Sequence, residues 1–383
     1  MLFEEMGFAY LGPVDGHDVY GLIDILSNVK KLKGPVLLHV ITKKGKGYGP
    51  AESEPTKFHG IGRFNIITGE TDKKPEIPSY TDVFGQTIVR LAKDDEKIVA
   101  ITAAMSDGTG LENFAKLFPN RFFDVGIAEG HALTFAAGLA CGGMKPVCSI
   151  YSTFLQRGLD QIIHDIALQN LPVIMAIDRA GLVGEDGATH HGAFDLSFLR
   201  FVPGLTIMAP ADENELQHMF KTAFKINGPV AIRYPRGTGI GVTLDKDLKE
   251  IEVGKAKIML EGKDVCILAI GNTVYPAISA AKLLKDKNLS AGVVNMRFLK
   301  PIDEAMLTTL LAKYKKFVVI EENAVIGGLS SAISEYFTGK DAQLLKIALP
   351  DHFIEHGSQK ILRDKYGLTA EKIAENLANW LKL

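Results

Sequence analysis

The chain has 383 residues, with 43 Lys and Arg against 45 Asp and Glu, a formal net charge of −2 and 46% hydrophobic residues. That length exceeds one hydrophobic core and, at roughly 150 residues per domain, predicts two or three domains. A near-neutral, apolar-rich chain is globular, which argues against nucleic acid or an anionic membrane as a bulk partner and leaves any phosphate binding to a few placed Arg residues. The three cysteines, Cys141, Cys148 and Cys266, have no framework spacing and are expected to be reduced core thiols of a cytoplasmic protein. Met1-Leu2-Phe3-Glu4-Glu5 lacks the basic-then-apolar pattern of a signal peptide. No apolar run is long enough to span a bilayer.

Residues 1–70 read as the tail of a domain. Periodicity predicts an amphipathic helix over Val19–Lys31 and a buried strand over Val36–Thr42, then a Gly/Lys loop over Lys43–Gly49. One helix and one or two strands cannot cover a parallel strand on both faces, so the earlier part of that domain is expected to lie outside this chain. The Pro-punctuated stretch Ala51–Ser79 reads as a linker.

From Tyr80 to Leu244 helix and strand alternate. The expected elements are helix Asp82–Ala92, strands Lys97–Ala104 and Arg121–Val125, and a small-residue helix beginning near Glu129. Strand Lys145–Tyr151, helix Gln156–Gln169 and strand Pro172–Ile177 follow, then a Gly-rich loop, Asp178–Ala193. Strand Leu205–Ala209, helix Asp212–Phe224 with an Asp N-cap, and strand Pro229–Tyr234 complete the pattern. Such alternation implies an α/β fold with a doubly wound parallel sheet. Asp264–Leu383 repeats it with strands Val265–Ile270, Ser290–Asn295, Phe317–Glu321 and Leu344–Ile347, and a last helix carrying Trp380. This part reads as an independent α/β domain without a catalytic constellation; Glu321-Glu322-Asn323, His352 and His356 are expected in solvated turns. The domain division expected is 1–70, 71–244 and 245–383.

Candidate chemistry gathers at the strand ends of the middle segment. Glu129 stands where a strand hands over to a helix, the edge at which open parallel sheets bind ligands; alone it equally fits a carboxylate that complements the helix dipole. Tyr151 through Arg157 is a second handover, with Phe154 able to stack on a planar ring and Tyr151 and Arg157 able to meet an anion. The loop Asp178–Ala193 carries Arg179, Asp186, His190 and His191, and a long Gly-rich loop inside a compact domain is usually functional. Neighbouring His side chains do not readily converge on one ion, so no metal site is expected there. Arg236 follows a strand, and His17 sits on a turn far upstream.

Taken together, Gly12-Pro13-Val14-Asp15-Gly16-His17-Asp18, Lys44–Tyr48, Ala103–Leu111, Asp124–Ala140, Gly184–Leu199 and Arg233–Gly237 resemble, in order, the 1-deoxy-D-xylulose-5-phosphate synthase family of thiamine-diphosphate enzymes. The resemblance implies a transketolase-like fold with a pyrimidine-binding domain and a C-terminal transketolase-type α/β domain. It implies condensation of pyruvate with D-glyceraldehyde 3-phosphate, with release of CO₂. In that scheme Glu129 meets the far ring nitrogen of the cofactor's pyrimidine, Phe154 stacks on that ring, and Arg157 joins them in the cofactor site. Tyr151, Arg179 and Arg236 hold the aldehyde and its phosphate, Asp186 its hydroxyls, and His190 and His17 are placed for proton transfer.

Two departures stand out. Gly130 occupies a position where that family usually has Gln, with no mechanistic loss expected. The Gly-Asp-Gly followed by Asn that holds the diphosphate and Mg²⁺ is absent; Ser106-Asp107-Gly108-Thr109-Gly110 is the nearest string. The chain is therefore expected to lack most of the diphosphate-binding domain and the family's Mg²⁺ ligands, and to be inactive alone. It is expected to form a homodimer, or a heteromer with a chain that supplies that domain. The alternatives are a split transketolase or 2-oxo acid dehydrogenase β-like subunit, and a truncated paralogue without catalysis.

Overall fold

The structure is a computed structural model that describes residues 2–71 and 76–382. It divides into two compact units, Met1–Glu76 and Ile77–Leu383. The first unit pairs β1 (Ala9–Asp15) with β2 (Val36–Ile41) in parallel, connected through the helix Val19–Val29. Asp18 caps that helix by accepting the Gly21 N–H. Its apolar residues Val19, Tyr20, Ile23 and Leu26 are exposed, as is Ile41 of β2. The sequence reading missed β1, whose apolar run is interrupted by Gly12-Pro13. A short helix, Gly49–Ser53, straddles the start of the expected linker. Residues 72–75 of that linker lie outside the described residues.

The second unit carries two sheets. Its strands are β3 (Ile98–Thr102), β4 (Phe122–Asp124), β5 (Lys145–Tyr151), β6 (Ile174–Ala180), β7 (Thr206–Met208), β8 (Val230–Pro235), β9 (Lys257–Leu260), β10 (Val265–Ala269), β11 (Ala291–Asn295), β12 (Phe298–Lys300), β13 (Lys316–Ala324) and β14 (Gln343–Leu349). The seven-stranded sheet has the order β12-β7-β8-β6-β5-β3-β4 and the five-stranded sheet β14-β13-β10-β11-β9. Only β12 and β9 pair antiparallel to their neighbours. The inner parallel strands, such as β3, β5 and β10, are buried on both faces, which is why they read as near-continuous apolar runs, whereas the edge strands β4 and β14 are partly exposed. Helix Tyr80–Asp94 starts with a reciprocal Ser79–Asp82 capping box, and helix Glu213–Ala223 with an Asp212 cap.

Four expectations need correction. The single helix Gln156–Gln169 is instead a composite of Ser152–Leu155, Gln156–Gly158, Leu159–Gln161 and a wide-turn segment, Ile162–Ala167. Gly158 sits so close to helix Glu129–Cys141 that a Cβ there would lie 2.2 Å from Leu133 Cδ1. The Glu321-Glu322-Asn323 triplet is not a solvated turn; β13 runs on through it and all three side chains are buried. Cys148 and Cys266 are core thiols, but Cys141 is exposed. The part beyond residue 264 is not independent, because β12 joins the seven-stranded sheet and one apolar core runs from Ile101 and Ala132 through Phe317 and Ile333.

Candidate active site

The parallel strands of the seven-stranded sheet put their carboxyl ends on one edge. The chain leaves β3 for the edge strand β4 and crosses back to β5, so the strand order reverses around β3. That is where a doubly wound sheet opens a crevice. Asp124, at the end of β4, accepts the N–H groups of Ala104 at 2.7 Å and Gly126 at 3.0 Å. These bonds pin the turn from which helix Glu129–Cys141 departs. Glu129 opens the helix and is only 4% exposed. A buried carboxylate needs a partner, and Arg157 Nη1 stands 2.9 Å from its Oε1.

Other predicted site residues follow in contact. The Arg157 guanidinium lies 5.2 Å from the Phe154 ring centroid. Phe154 stacks on Tyr151 at 5.7 Å and 18°, and meets the His190 ring edge-on at 5.6 Å. Arg179 lies over the opposite flank of this row, 4.0 Å from the Tyr151 ring. A bulge places it there: Ile177 pairs with Arg233 and Ala180 with Pro235, leaving Asp178 and Arg179 opposite Tyr234 alone. Arg179 takes a left-handed φ of 60° in that bulge. Asp186 and Arg236 form an ion pair of 2.8 Å, and Arg236 also donates to the Val183 carbonyl at 3.0 Å. Thr189 Oγ1 lies 2.9 Å from His190 Nδ1. His17 belongs to the first unit, where its Nε2 accepts the Lys43 N–H at 2.7 Å.

Burial pushes the Tyr151 phenol well above its ordinary value, while the Arg179 and Arg236 charges pull it down. Directly across the sheet from Tyr151 is Asp178. Its carboxylate is fully buried and accepts Thr81 Oγ1 at 2.7 Å; its second oxygen has no partner. Burial raises this carboxyl to about 6.

Sequence reading placed Asp178 at the start of the polar loop but gave it no role; an acid closing the apolar run Ile174–Ile177 was the available signal. It also missed the buried pair Arg233–Asp195, 3.1 Å apart. Gln359, which helps hold the loop around Asp186, gave no local signal because its partners lie far along the chain, and His191 was weighed only as a poor metal ligand, its bond to the Glu355 carbonyl being equally remote. Among the described residues, no group of three or more His, Cys, Asp or Glu is placed to hold a metal ion.

Family models agree with this layout. One for the transketolase pyrimidine binding domain matches residues 76–239, and one for the transketolase C-terminal domain matches 254–373. A model described as 1-deoxy-D-xylulose-5-phosphate synthase matches residues 1–42. The chain is 53% identical over 376 residues to a 1-deoxy-D-xylulose-5-phosphate synthase of Desulforudis audaxviator, covering 97% of this chain and 59% of that relative. The Aquifex aeolicus protein of the same name is 54% identical over 384 residues, covering 100% of this chain and 61% of the relative. The chain thus spans about three fifths of the length of these curated relatives. Among solved structures, a split-gene transketolase described as an inactive β4 tetramer superposes with a TM-score of 0.72 at 34% identity, covering 80% of this chain and 99% of that one. A Campylobacter jejuni transketolase, 19% identical with a TM-score of 0.67, covers 98% of this chain and 68% of that one and shares the fold. The chain is thus similar over its length to curated 1-deoxy-D-xylulose-5-phosphate synthases, and it belongs to the transketolase-like proteins.

Proposed function

We propose that this chain carries the pyrimidine-side half of a 1-deoxy-D-xylulose-5-phosphate synthase active site, acting on pyruvate and D-glyceraldehyde 3-phosphate. The observation that carries the reading is the unbroken row Glu129–Arg157–Phe154–Tyr151–Arg179 along one sheet edge. A buried carboxylate, a flat ring, a phenol and a cation follow one another there, as a flat basic cofactor beside a phosphorylated aldehyde requires.

Thiamine diphosphate is the cofactor this reading needs; when bound, it supplies the nucleophilic carbon and the electron sink for decarboxylation. The residues present fit its pyrimidine end. Glu129 has Oε1 tied to Arg157 and its second oxygen available to accept a ring N–H, so the carboxylate can hold a proton at that nitrogen. Phe154 offers a ring for stacking, and the Ala-rich helix behind Glu129 permits close approach. Arg179 and Arg236 supply charge-assisted donors to a phosphate group, the role a near-neutral chain must leave to a few residues. Asp186 is held by Arg236 where a substrate hydroxyl could donate to it, and His190, against Phe154, is placed to move a proton at the reacting carbonyl. His17, in the first unit, is the other imidazole that this reading uses for proton transfer, and Mg²⁺ belongs to the diphosphate side. That side would come from a region outside these residues, in a homodimer or heteromer.

A second reading, a split transketolase subunit, is favoured by the near-complete match to the split-gene chain. The two part on substrate. With thiamine diphosphate and Mg²⁺, the synthase reading expects CO₂ release from pyruvate that depends on glyceraldehyde 3-phosphate. Transfer of a two-carbon unit from a ketose phosphate, without CO₂, would replace it with the transketolase reading.

A further inference from the structure

The loop from Gly181 to Gly192 carries Asp186 and His190, and what holds it comes in part from the other sheet. Gly181 and Gly192 close its base with two backbone hydrogen bonds of 2.7 Å. Beyond that base Arg236 holds Val183 and Asp186 and Thr153 donates to the Thr189 carbonyl, and a further set of partners lies between residues 322 and 363. Glu322 Oε1 accepts the Leu182 N–H at 2.8 Å, and Arg363 secures the same carboxylate through Nε at 2.7 Å and Nη2 at 3.2 Å. The Gln359 side-chain amide donates to the Leu182 carbonyl at 2.6 Å and to the Arg236 carbonyl at 3.2 Å. His191 is buried; its Nδ1 accepts the Val183 N–H at 3.1 Å, and its Nε2 lies 3.0 Å from the Glu355 carbonyl. A backbone N–H only donates and a carbonyl only accepts, so these partners assign His191 an unprotonated Nδ1 and an Nε2–H.

These bonds form a closed ring around the aldehyde-side residues. The Arg236 guanidinium donates to Val183 O and Asp186 Oδ2. Its own carbonyl is held by Gln359, which also holds Leu182, the neighbour of Val183. Gln359 thus ties the end of β8 to the root of the loop, and His191 ties Val183 to the segment before helix Gln359–Lys365. Neither residue belongs to the row that begins at Glu129. The spacing of Arg236, Asp186 and His190 nevertheless depends on both, and catalytic geometry tolerates displacements of only about 1 Å before rates fall sharply.

We propose that Gln359 and His191 are positioning residues for the aldehyde side of the active site, through which the part built on the five-stranded sheet holds the Gly181–Gly192 loop in its binding geometry. The proposal rests on the reading of Arg236 and Asp186 as aldehyde-binding residues. It gives that part of the chain, which sends no side chain into the Glu129–Arg179 row, a role in substrate affinity.

The test compares wild type with Gln359→Met, His191→Leu and His191→Gln in the full chain. Methionine keeps the length of Gln359 and removes both donors; leucine removes both His191 bonds; glutamine can restore an acceptor for Val183 and a donor for Glu355. Three quantities are measured: amide hydrogen exchange of the peptide covering 181–192, the melting temperature, and calorimetric binding of glyceraldehyde 3-phosphate. Gln359→Met and His191→Leu are expected to speed loop exchange and weaken aldehyde binding about tenfold each, as removal of one or two hydrogen bonds implies. Exchange in β3 and β5 and the melting temperature should hardly move. His191→Gln is expected to restore both loop protection and binding. Loop exchange unchanged in Gln359→Met and His191→Leu would overturn the proposal, as would a His191→Gln variant as loose as His191→Leu. A loosened loop in a protein whose wild type does not bind the aldehyde would support the clamp and refute the aldehyde assignment instead.

Discussion

Asp178→Asn should make the protein more stable at pH 8 and leave it nearly unchanged at pH 4. The carboxylate is fully buried, with one oxygen on Thr81 and the other unpartnered. Burial raises its pKa from 3.8 to about 6, despite opposing contributions from the Thr81 hydrogen bond and the Arg179 and Arg236 charges. The folded value lies above the unfolded one, so between about pH 4 and 6 the folded protein holds a proton that the unfolded chain has released. The stability this group contributes is therefore fully present below the unfolded value and is lost as pH rises through the folded one. A difference of about two pH units, at ~1.4 kcal/mol each, makes the loss about 3 kcal/mol. Asparagine does not ionise and can still accept from Thr81, so the variant escapes that loss. For a unit of this size the gain at pH 8 corresponds to roughly 5 °C in melting temperature. Paired melts of wild type and variant from pH 4 to 8 at fixed ionic strength give the difference directly. A difference that is flat with pH, or that grows toward acid, would refute the reasoning. In physical terms, ionised Asp178 holds a negative charge beside Arg179 at the expense of fold stability.

The remaining predictions test other links. Arg233→Met should destabilise by about 3–5 kcal/mol in urea unfolding, because it strands the Asp195 carboxylate in the core; adding Asp195→Leu should recover part of that loss, and a mild single-variant effect would deny the pair its structural weight. Arg179→Ala and Arg236→Ala should each raise KM for glyceraldehyde 3-phosphate by about tenfold or more, the worth of a charge-assisted contact, and should affect the unphosphorylated aldehyde far less; equal effects on both would reject phosphate contact. Burial pushes the Cys148 and Cys266 thiols up to about 12, whereas Cys141 is exposed. A thiol titration at pH 8 should therefore find one fast-reacting group in the native protein and three after denaturation.

The sheet strands were legible because a parallel strand covered on both faces must be an apolar run, and β3, β5, β6 and β8 are such runs. The start of helix Glu129–Cys141 was legible from Gly126 and the small residues that follow. What escaped depends on contacts far apart in the chain. Nothing local marks β12 as a partner of β7, since its three residues pair across a wide sequence gap. Glu321-Glu322-Asn323 looks like a polar turn until Arg363, Leu182 and Leu329 bring the partners that let it stay buried. The composite helix after Tyr151 carries Gly158 against Leu133 of another helix, a close approach that periodicity alone does not reveal. The candidate site was legible as residues at strand ends; its joinery through Asp178, His191 and Gln359 was not.

In the proposed function, Glu129 is the carboxylate on which cofactor activation turns. That role is tested most directly by CO₂ released from carboxyl-labelled pyruvate with glyceraldehyde 3-phosphate, thiamine diphosphate and Mg²⁺, comparing wild type with Glu129→Ala in the same active assembly. The expected result is a fall in turnover of at least ~10²-fold, the scale of acid–base assistance, with the melting temperature nearly unchanged. Near-normal turnover by the Glu129→Ala protein would contradict that role.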